Sequence, residues 1–520
     1  DMVVLSTGIE AGRDAIQLSN IFGIELDRYH FVRSNGFYPV ATSVPGIFAC
    51  GVFTGPKDIP QSVMEASAAA CAATAKLAAA RNSLTKEVKI PAQRDVSREA
   101  PRIGVFVCNC GINIGGIVRV PEVVEYARTL PGVVYVEENL FTCSQDTQDQ
   151  LTKIIREKGL NRVVVAACTP RTHEDLFQET LVNAGLNKYL IEMANIRNQD
   201  AWVHSNNRDA ATAKANDLVR MAVAKAFLAG PLEQTNLPIS RSALVVGGGL
   251  AGMTAALALA RQGYPVHLAE KSDRLGGNAR RLNKTYRNED IAGFLADLIR
   301  RVEAEFRITV HLSTTIRAVD GFIGNFKSTI TTAGSNETVT HGVAILATGA
   351  KEDQPQEYLY GEHAAVVTQL VMDALLGQDD PRIIQAAAVV FIQCVGSRNE
   401  DHPYCSKVCC THAIQNALEL KKRNPQRQVY ILYRDIRTYG EREDLYREAR
   451  SQGIHFFRYD PDEKPEVSPS DSRVAVGFKD PILGRKLIVK ADIVCLAAHP
   501  RPPADRQGRY SMSGGRDCAP

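Results

Sequence analysis

The chain has 520 residues, of which 45% are hydrophobic and 23% are charged, proportions typical of a globular protein with two to four domains. Its net charge is only +3 and it has no long basic run, which argues against nucleic acid as a partner. No apolar stretch approaches the ~18 residues of a membrane span and no signal peptide is visible, so we expect a cytoplasmic protein without a transmembrane segment.

Twelve cysteines stand out in a chain of this composition. In a cytoplasmic α/β protein they indicate metal or redox chemistry rather than disulfide bonds. No two of them have Cys-x-x-Cys spacing, which excludes the ferredoxin pattern, the common zinc knuckles and the thioredoxin-type dithiol.

Residues 1–81 are predicted to be the closing part of a flavin-binding domain. Residues 2–6 are predicted to form a strand, residues 40–50 a turn and a buried strand, and residues 62–81 an Ala-rich helix. This order resembles the C-terminal part of the FAD domain in glutathione- and thioredoxin-reductase-like flavoproteins, although Val52 stands where they have an aspartate. Generic α/β packing is the alternative.

Residues 102–230 alternate strands and helices between two predicted linkers, 82–101 and 231–241. Such alternation predicts a parallel sheet with helices on its faces, and function in parallel sheets collects beyond the carboxyl ends of the strands. Four thiols follow strand ends and predict an iron–sulfur or redox site, namely Cys108, Cys110, Cys143 and Cys168. The alternative is that some of them are buried small hydrophobic residues.

Residues 242–350 carry the strongest motif, a strand that enters a Gly-x-Gly-x-x-Gly turn and opens into a helix. Gly247 permits the tight turn, Gly249 lets the backbone approach a pyrophosphate, and Gly252 allows close packing of helix and strand. The helix N-terminus then faces the phosphates with its unpaired N–H groups and the positive end of its dipole.

Further residues of this segment indicate FAD rather than NAD. Glu270 ends the second strand at the spacing of an acid that binds adenosine ribose, and a second glycine pair follows at Gly276 and Gly277. Four short strands suit a β-meander insert, and residues 344–350 suit the strand that returns to the flavin site. The predicted cofactor-binding residues are Gly247, Gly249, Leu250, Ala251, Gly252, Glu270, Lys271, Gly276, Gly277, Asn278, Ala347, Thr348 and Gly349. A chance glycine loop is the alternative.

Residues 351–489 are predicted to be a degenerate nicotinamide-type domain. Its first strand, 387–393, lacks the glycine-rich loop that would cradle a pyrophosphate, so NAD(P)H binding is not expected. A cysteine constellation stands there instead and predicts a cluster: Cys394, Cys405, Cys409 and Cys410. Cys405 and Cys409 are expected on one helix face. Thiol–disulfide exchange and packing are alternatives, but adjacent cysteines rarely form a relaxed disulfide with each other.

Residues 490–499 are predicted to rejoin the FAD-binding domain as a strand. Their pattern matches residues 1–7, where the chain opens in the middle of the same fold. Residues 500–520 are rich in Arg, Pro, Gly and Ser and are predicted to be disordered. The simplest account is a fragment of a tandem protein, the tail of one copy joined to most of the next.

Together these motifs resemble the heterodisulfide reductase A-subunit family, whose members are FAD and iron–sulfur electron-transfer proteins. The segments that carry the resemblance are residues 107–113, 141–146, 166–174, 247–252, 394–398 and 404–410. The resemblance implies a parallel-sheet α/β domain followed by a thioredoxin-reductase-like two-domain FAD fold. It also implies a 4Fe-4S cluster near the FAD, without showing which cysteines hold it.

The predicted function is therefore that of an electron-transfer subunit in an anaerobic, heterodisulfide-reductase-like complex. The family implies other subunits of such a complex and a hydrogenase- or dehydrogenase-type electron donor as partners, and a homodimer stays open. One alternative is a stand-alone NAD(P)H-dependent disulfide or thiol oxidoreductase, and another is a non-catalytic scaffold subunit that binds FAD.

Overall fold

The computed structural model describes residues 2–501, which divide into two compact units. The cysteine-bearing unit is Leu84–Leu237, and the main unit comprises residues 2–83 and 238–501. Residues 502–520, most of the predicted disordered tail, lie outside the described residues. Over residues 2–501 no helix is long and apolar enough to cross a membrane.

The first part of the main unit contains helices α1 (Ala15–Phe22) and α2 (Ile59–Leu77). Residues 2–6 form no strand, contrary to the prediction, because no sheet edge pairs with them. The segment nevertheless packs beside the glycine-loop region: Phe37 stacks on Phe294 with ring centroids 4.0 Å apart, and Arg81 donates to the Tyr264 hydroxyl.

The cysteine-bearing unit is a four-stranded parallel sheet of order β2-β1-β3-β4 with helices on its faces. Its elements are β1 (Ile103–Cys108), α3 (Val120–Arg128), β2 (Val133–Asn139), α4 (Gln145–Glu157), β3 (Arg162–Ala167), α5 (Pro170–Asn183), β4 (Ile191–Asn195) and α6 (Arg208–Leu228). The central strands β1 and β3 are buried along their whole length, as the run of Val, Ile and Phe requires. Val96, in the first predicted linker, is also fully buried.

The glycine motif opens a second parallel sheet, of order β11-β5-β6-β7. Its elements and insert are β5 (Ala243–Val246), α7 (Leu250–Arg261), β6 (Val266–Ala269), α8 (Ile291–Ala304), β7 (Ile308–His311), β8 (Thr314–Asp320), β9 (Phe326–Thr332), β10 (Ser335–His341) and β11 (Val343–Leu346). The antiparallel strands β8, β9 and β10 form the expected meander, whereas β7, predicted to belong to it, pairs in parallel with β6.

The rest of the main unit is built on a five-stranded parallel sheet of order β13-β20-β14-β15-β16, with an antiparallel sheet β17-β18-β19 beside it. The elements are β12 (Lys351–Glu352), β13 (Val366–Thr368), α9 (Gln369–Gly377), α10 (Pro381–Gln385), β14 (Ala388–Val395), α11 (Cys409–Arg423), β15 (Gln428–Tyr433), α12 (Glu443–Ser451), β16 (His455–Arg458), β17 (Glu466–Ser470), β18 (Arg473–Asp480), β19 (Arg485–Ala491), β20 (Ile493–Ala498) and β21 (Pro500–Arg501).

Two boundary predictions at the end of the chain are wrong. Residues 490–499 do not rejoin the FAD-binding sheet, because β20 pairs with β13 and β14. Its apolar side chains are buried on both faces there, which a central parallel strand requires. Residues 500 and 501, the start of the predicted tail, form an antiparallel pair with β12. The predicted fold class, α/β with parallel sheets and a Rossmann-type glycine loop, is confirmed.

Candidate functional site

The glycine loop between β5 and α7 forms a backbone cradle at the carboxyl edge of its sheet. Gly247 has a φ of +110°, and an added Cβ there would overlap the carbonyl oxygen of Ala347. At Gly252 an added Cβ would overlap the carbonyl oxygen of Gly247. Gly249, by contrast, has nothing within 4 Å of an added Cβ. The cradle is therefore tightly packed beneath and open above Gly249.

Helix α7 presents free amide groups to this open space. Leu250 and Ala251 begin the helix, so their N–H groups have no acceptor within it. Gly249 stands at the N-cap, and no side chain caps the turn. Amides in this arrangement, together with the helix dipole, favour an anion. These residues fit the pyrophosphate of a dinucleotide.

Glu270, at the end of β6, is held as an ionised acceptor. Its Oε2 accepts from the Gly248 N–H at 2.6 Å, and its Oε1 accepts from the N–H and hydroxyl of Ser272 at 2.9 and 2.6 Å. Burial alone would raise the pKa of this carboxyl, but the hydrogen bonds from Ser272 and Gly248 outweigh it and lower the pKa. Lys271 beside it is exposed. A fixed carboxylate at this point suits the hydroxyl groups of a ribose.

The second glycine pair lies directly against the first loop. The N–H of Gly276 donates to the Gly248 carbonyl at 2.8 Å, and a Cβ on Gly277 would stand 3.3 Å from the Cα of Gly249. The φ angles of Gly276 and Gly277 are +116° and +53°, so both positions favour glycine. The two loops share one cradle.

The loop after β11 closes the other side of the cradle. The Ala347 N–H donates to the Val246 carbonyl at 2.7 Å, and Thr348 and Gly349 follow as exposed residues. The Asn278 side chain donates to the Ala350 carbonyl at 2.7 Å, which ties the second glycine pair to this loop. Every residue predicted to bind the cofactor lies around this cradle.

The second candidate site is the cysteine constellation at the carboxyl end of β14. Cys394 lies within β14, and Cys409 and Cys410 begin α11; all three are buried free thiols. Cys405 is half-buried in the loop before α11. The expectation that Cys405 shares a helix face with Cys409 is wrong, because Lys407 has a φ of +66° and the helix starts only after it.

The backbone around these thiols is strained. Cys394, Arg398 and Lys407 have φ angles of +62°, +58° and +66°, a region that costs residues with side chains about 1 kcal/mol or more each. Strain of this kind persists where the surrounding structure imposes it, and it is common at ligand sites.

Guanidinium groups surround the same thiols. Arg398 Nη1 lies 3.9 Å from the Cys394 sulfur. The pKa of Cys410 is lowered to about 7, chiefly because Cys409 donates a hydrogen bond to it and further by Arg437 and Arg398. The shared hydrogen bond and burial raise the pKa of Cys409, and burial raises that of Cys394. Of the adjacent pair Cys409 and Cys410, Cys410 is therefore the one that ionises more readily.

The donor set fits an iron–sulfur cluster, because free thiols beside cations are the ligands such clusters take. Over residues 2–501 no three side chains of His, Cys, Asp or Glu are arranged to hold a single metal ion. A cluster differs from a single ion in that each thiolate binds a different iron.

The four cysteines of the second predicted set converge at the carboxyl edge of the cysteine-bearing unit. Cys108 ends β1 and Cys168 follows β3, both buried. Burial raises the pKa of each, and the nearby Cys110 and Cys143 raise it further, while Arg197 opposes this at Cys168. Because the thiols raise one another's pKa, they lie close together, as predicted for side chains at one edge of the sheet.

One polar residue of this edge was not predicted from the sequence. Asp200 lies in a π-helical turn, Arg197–Ala201, after β4; it is fully buried, and neither carboxylate oxygen has a hydrogen-bond partner among the described residues. Burial raises its pKa to about 6. Its local sequence gives no sign of this, since burial of a loop aspartate depends on distant segments.

Comparison with known proteins agrees with this geometry. Residues 245–299 match a family described as an NAD(P)-binding Rossmann-like domain. The chain is 34% identical over 504 residues to the A-subunit of the H(2):CoB-CoM heterodisulfide,ferredoxin reductase of Methanothermobacter marburgensis, covering 79% of this chain and 76% of the relative. It is 32% identical over 508 residues to the iron-sulfur A-subunit of the CoB–CoM heterodisulfide reductase of Methanocaldococcus jannaschii, covering 80% and 77%.

Among solved structures, thioredoxin reductase of T. acidophilum aligns with a TM-score of 0.35 and 15% identity over 50% of this chain and 77% of that one. The sequence relatives are far closer. At 30–35% identity over about four fifths of the chain, they show that it belongs to the heterodisulfide reductase A-subunit family of oxidoreductases.

Proposed function

We propose that this chain binds FAD in the glycine cradle and a 4Fe-4S cluster at Cys394, Cys405, Cys409 and Cys410. It passes electrons between the flavin, the cluster and other subunits of a heterodisulfide-reductase-like complex. The observation that carries the proposal is that four thiols occupy the end of β14, where the glycine loop for a second dinucleotide would lie.

In this proposal the cradle residues bind and orient the cofactor. The amides of Gly249, Leu250 and Ala251 hold the pyrophosphate, and Glu270 accepts hydrogen bonds from the ribose. When bound, FAD would exchange electrons with its partners either in pairs or one at a time. Because the Glu270 carboxylate already accepts from Gly248 and Ser272, its orientation is fixed before the cofactor arrives.

At the cysteine constellation, the protein supplies anionic ligands and the charge to stabilise them. Arg398 and Arg437 favour thiolates over thiols there, and a cluster with four thiolates is itself anionic. The sulfur atoms come from the end of β14, the loop that follows it and the start of α11, and the strained backbone at Cys394 and Lys407 lies within this stretch.

The relatives are named as subunits of reductases, with H2 or ferredoxin and F420H2 in their names. By that likeness we propose subunits of a similar complex and a hydrogenase- or dehydrogenase-type donor as partners. Cys108, Cys110, Cys143 and Cys168 are a second candidate cluster site.

The test is anaerobic purification of the chain, with assays of flavin, iron and sulfide. We expect one FAD and about four irons per occupied cluster site. Cys405→Ser should lose the iron and sulfide of its own cluster site but keep flavin, whereas Cys50→Ser, which alters a half-buried thiol in the first segment, should lose neither iron nor flavin. Flavin without iron in the unmodified chain would remove the cluster from the proposal.

A second candidate function is thiol–disulfide exchange, which the lowered pKa of Cys410 favours because a thiolate is the nucleophile in that reaction. Rapid reduction of the iron-free flavoprotein by NADH, with turnover of a disulfide substrate, would support that function. Loss of turnover in Cys410→Ser with retention in Cys405→Ser would assign the nucleophile.

A further inference from the structure

A cleft of about 330 Å³ opens at the carboxyl ends of β15 and β16. Two tyrosine rings, two guanidinium groups and two carboxylates line it: Tyr433, Tyr446, Arg434, Arg458, Asp435 and Glu443. The carboxyl edge of a parallel sheet is where ligands of α/β proteins bind. The electron-transfer function proposed above makes no use of this cleft.

The two parallel sheets of the main unit share an order of elements, and comparing them indicates which kind of ligand this cleft binds. In the glycine-loop sheet, the strand–helix–strand run β5-α7-β6 ends in Glu270; in the other sheet, β14-α11-β15 ends in Arg434. An acid at this point accepts hydrogen bonds from ribose hydroxyls, whereas an arginine suits a phosphate. The position after β15 therefore favours an anionic group, whereas the equivalent position after β6 favours the two hydroxyl groups of a ribose.

Both guanidinium groups have donors to offer. Arg434 is 8% exposed; its Nη1 donates to the Arg398 carbonyl at 2.8 Å, and its buried Nε has no acceptor among the described residues. Arg458 is exposed, and within residues 2–501 no carboxylate forms an ion pair with it or with Arg434. The buried Nε is closed to a ligand in the cleft, so an anion would bind Arg434 through Nη2, which has no acceptor among the described residues, together with Arg458.

The carboxylates of the cleft do not cancel this charge. Asp435 is bound by Arg398 at 2.6 Å and lies 3.6 Å from Arg437. Glu443 accepts from the Thr438 hydroxyl at 3.0 Å. The lining itself carries two guanidinium groups and two carboxylates. Because Arg398, outside the lining, already pairs with Asp435, Glu443 is the lining carboxylate left to oppose Arg434 and Arg458, and the excess charge is positive.

The rest of the sheet edge limits the length of the ligand. Where a dinucleotide would lay its pyrophosphate, after β14, an added Cβ on Gly396 would already stand 2.7 Å from His499 Nδ1. Buried side chains of Cys394 and Val395 precede it. The cleft lies at the end of β15, beside the rings of Tyr433 and Tyr446.

From these observations we propose that the cleft binds a phosphate monoester carried on a planar ring, the chemistry of an adenosine 2′- or 3′-phosphate. Arg434 and Arg458 hold the phosphate, and a tyrosine ring stacks on the base. A free nucleotide and the phosphoadenosine end of a larger cofactor share this chemistry. The proposal is independent of the flavin and cluster assignments.

The test is isothermal titration calorimetry of the purified full chain with 2′-AMP, 3′-AMP, adenosine and inorganic phosphate. We expect saturable binding of at least one nucleotide, about tenfold or more tighter than adenosine or phosphate alone, since a charge-assisted bond contributes roughly that factor. Titration with NADPH and coenzyme A then distinguishes a free nucleotide from the end of a larger cofactor.

Arg458→Gln should weaken nucleotide binding by about tenfold or more, and Arg434→Lys should weaken it as well. Arg317→Gln, which alters an exposed arginine on β8 far along the chain, should leave it unchanged. Because Arg458 is exposed, its variant should fold even where the buried Arg434 variant does not. Absence of saturable nucleotide binding, equal binding of adenosine or phosphate, or full binding by Arg458→Gln would each overturn the proposal.

Discussion

Gly249→Ala should separate the stability of the glycine cradle from its capacity to bind a cofactor. The residue has φ −79° and ψ −175°, an extended conformation that alanine adopts freely. Nothing lies within 4 Å of the added Cβ. The flavin-free variant should therefore be as stable as the parent or more so, by about 0.4–1 kcal/mol, because alanine has fewer unfolded conformations.

FAD binding should respond in the opposite direction. The new methyl group would occupy the open space above Gly249 and move the pyrophosphate away from the amides of Leu250 and Ala251. Losing one or two hydrogen bonds to a charged phosphate costs about 1.5–3 kcal/mol each, so affinity should fall by roughly 10- to 20,000-fold.

Two glycines provide the controls. Gly252→Ala pushes its Cβ into the Gly247 carbonyl oxygen and should destabilise the apoprotein as well as abolish binding, whereas Gly230→Ala, with open space around it, should change neither. Thermal unfolding of the flavin-free proteins gives stability, and quenching of FAD fluorescence gives affinity. Unchanged FAD affinity in Gly249→Ala, or an unstable apoprotein, would refute the reasoning.

Three further predictions concern polar groups. Because the pKa of Glu270 is lowered in the folded protein, its contribution to stability is present above the ordinary glutamate pKa and is lost as the pH falls through the folded value. In urea unfolding, Glu270→Gln should therefore be less stable than the parent at neutral pH, and the difference in the free energy of unfolding should shrink in acid. Asp200 has a raised pKa of about 6, so its effect on stability has the opposite sign: the free energy of unfolding falls as the pH rises through roughly pH 4 to 6. Asp200→Asn should therefore stabilise the protein by about 1–3 kcal/mol near pH 7 and have little effect near pH 4. Arg287 donates to the Ser34 carbonyl at 2.6 Å and to Glu441 at 2.7 Å, so Arg287→Met should lower the free energy of unfolding by about 1–3 kcal/mol. In a double-mutant cycle with Glu441→Gln, the double variant should lose less stability than the sum of the two single losses; additive losses would contradict the pairing.

The glycine cradle could be predicted from the sequence because its determinants are local. A buried strand, three glycines at fixed spacing, a helix and Glu270 lie within 28 residues of one another. Although the atom that a side chain at Gly247 would overlap, the Ala347 carbonyl oxygen, belongs to a distant loop, the spacing alone identifies the turn. The same holds for the thiols at strand ends, since parallel strands bring their carboxyl ends to one edge.

The errors came from pairings between distant segments. The apolar run of β20 suits the centre of either parallel sheet of the main unit, and only its hydrogen bonds to β13 and β14 assign it. Residues 2–6 have strand-like composition, but β propensity without a partner edge forms no strand. Helix α11 starts late because of the left-handed backbone at Lys407, which no propensity rule predicts for a lysine.

The sequence did not indicate the places of three residues in these sites, because their sequence neighbours are ordinary: Arg434, Arg458 and Asp200. The position of Arg434 could have been found by aligning β5-α7-β6 with β14-α11-β15 within the chain. The burial of Asp200 could not, because it follows from packing around the π-helical turn at Arg197–Ala201.

The short ribbon of β12 and β21 has a consequence for the architecture of the main unit. Glu352 pairs with Pro500, and the Asp353 carboxylate binds Arg501 at 2.8 Å, so residues 353–499 leave and re-enter the rest of the unit at one point. A segment with adjacent ends can be inserted or removed as a single genetic block, because its loss leaves a gap that a short turn closes. The module that carries the cysteine constellation and the arginine cleft is thus a natural unit for excision or circular permutation.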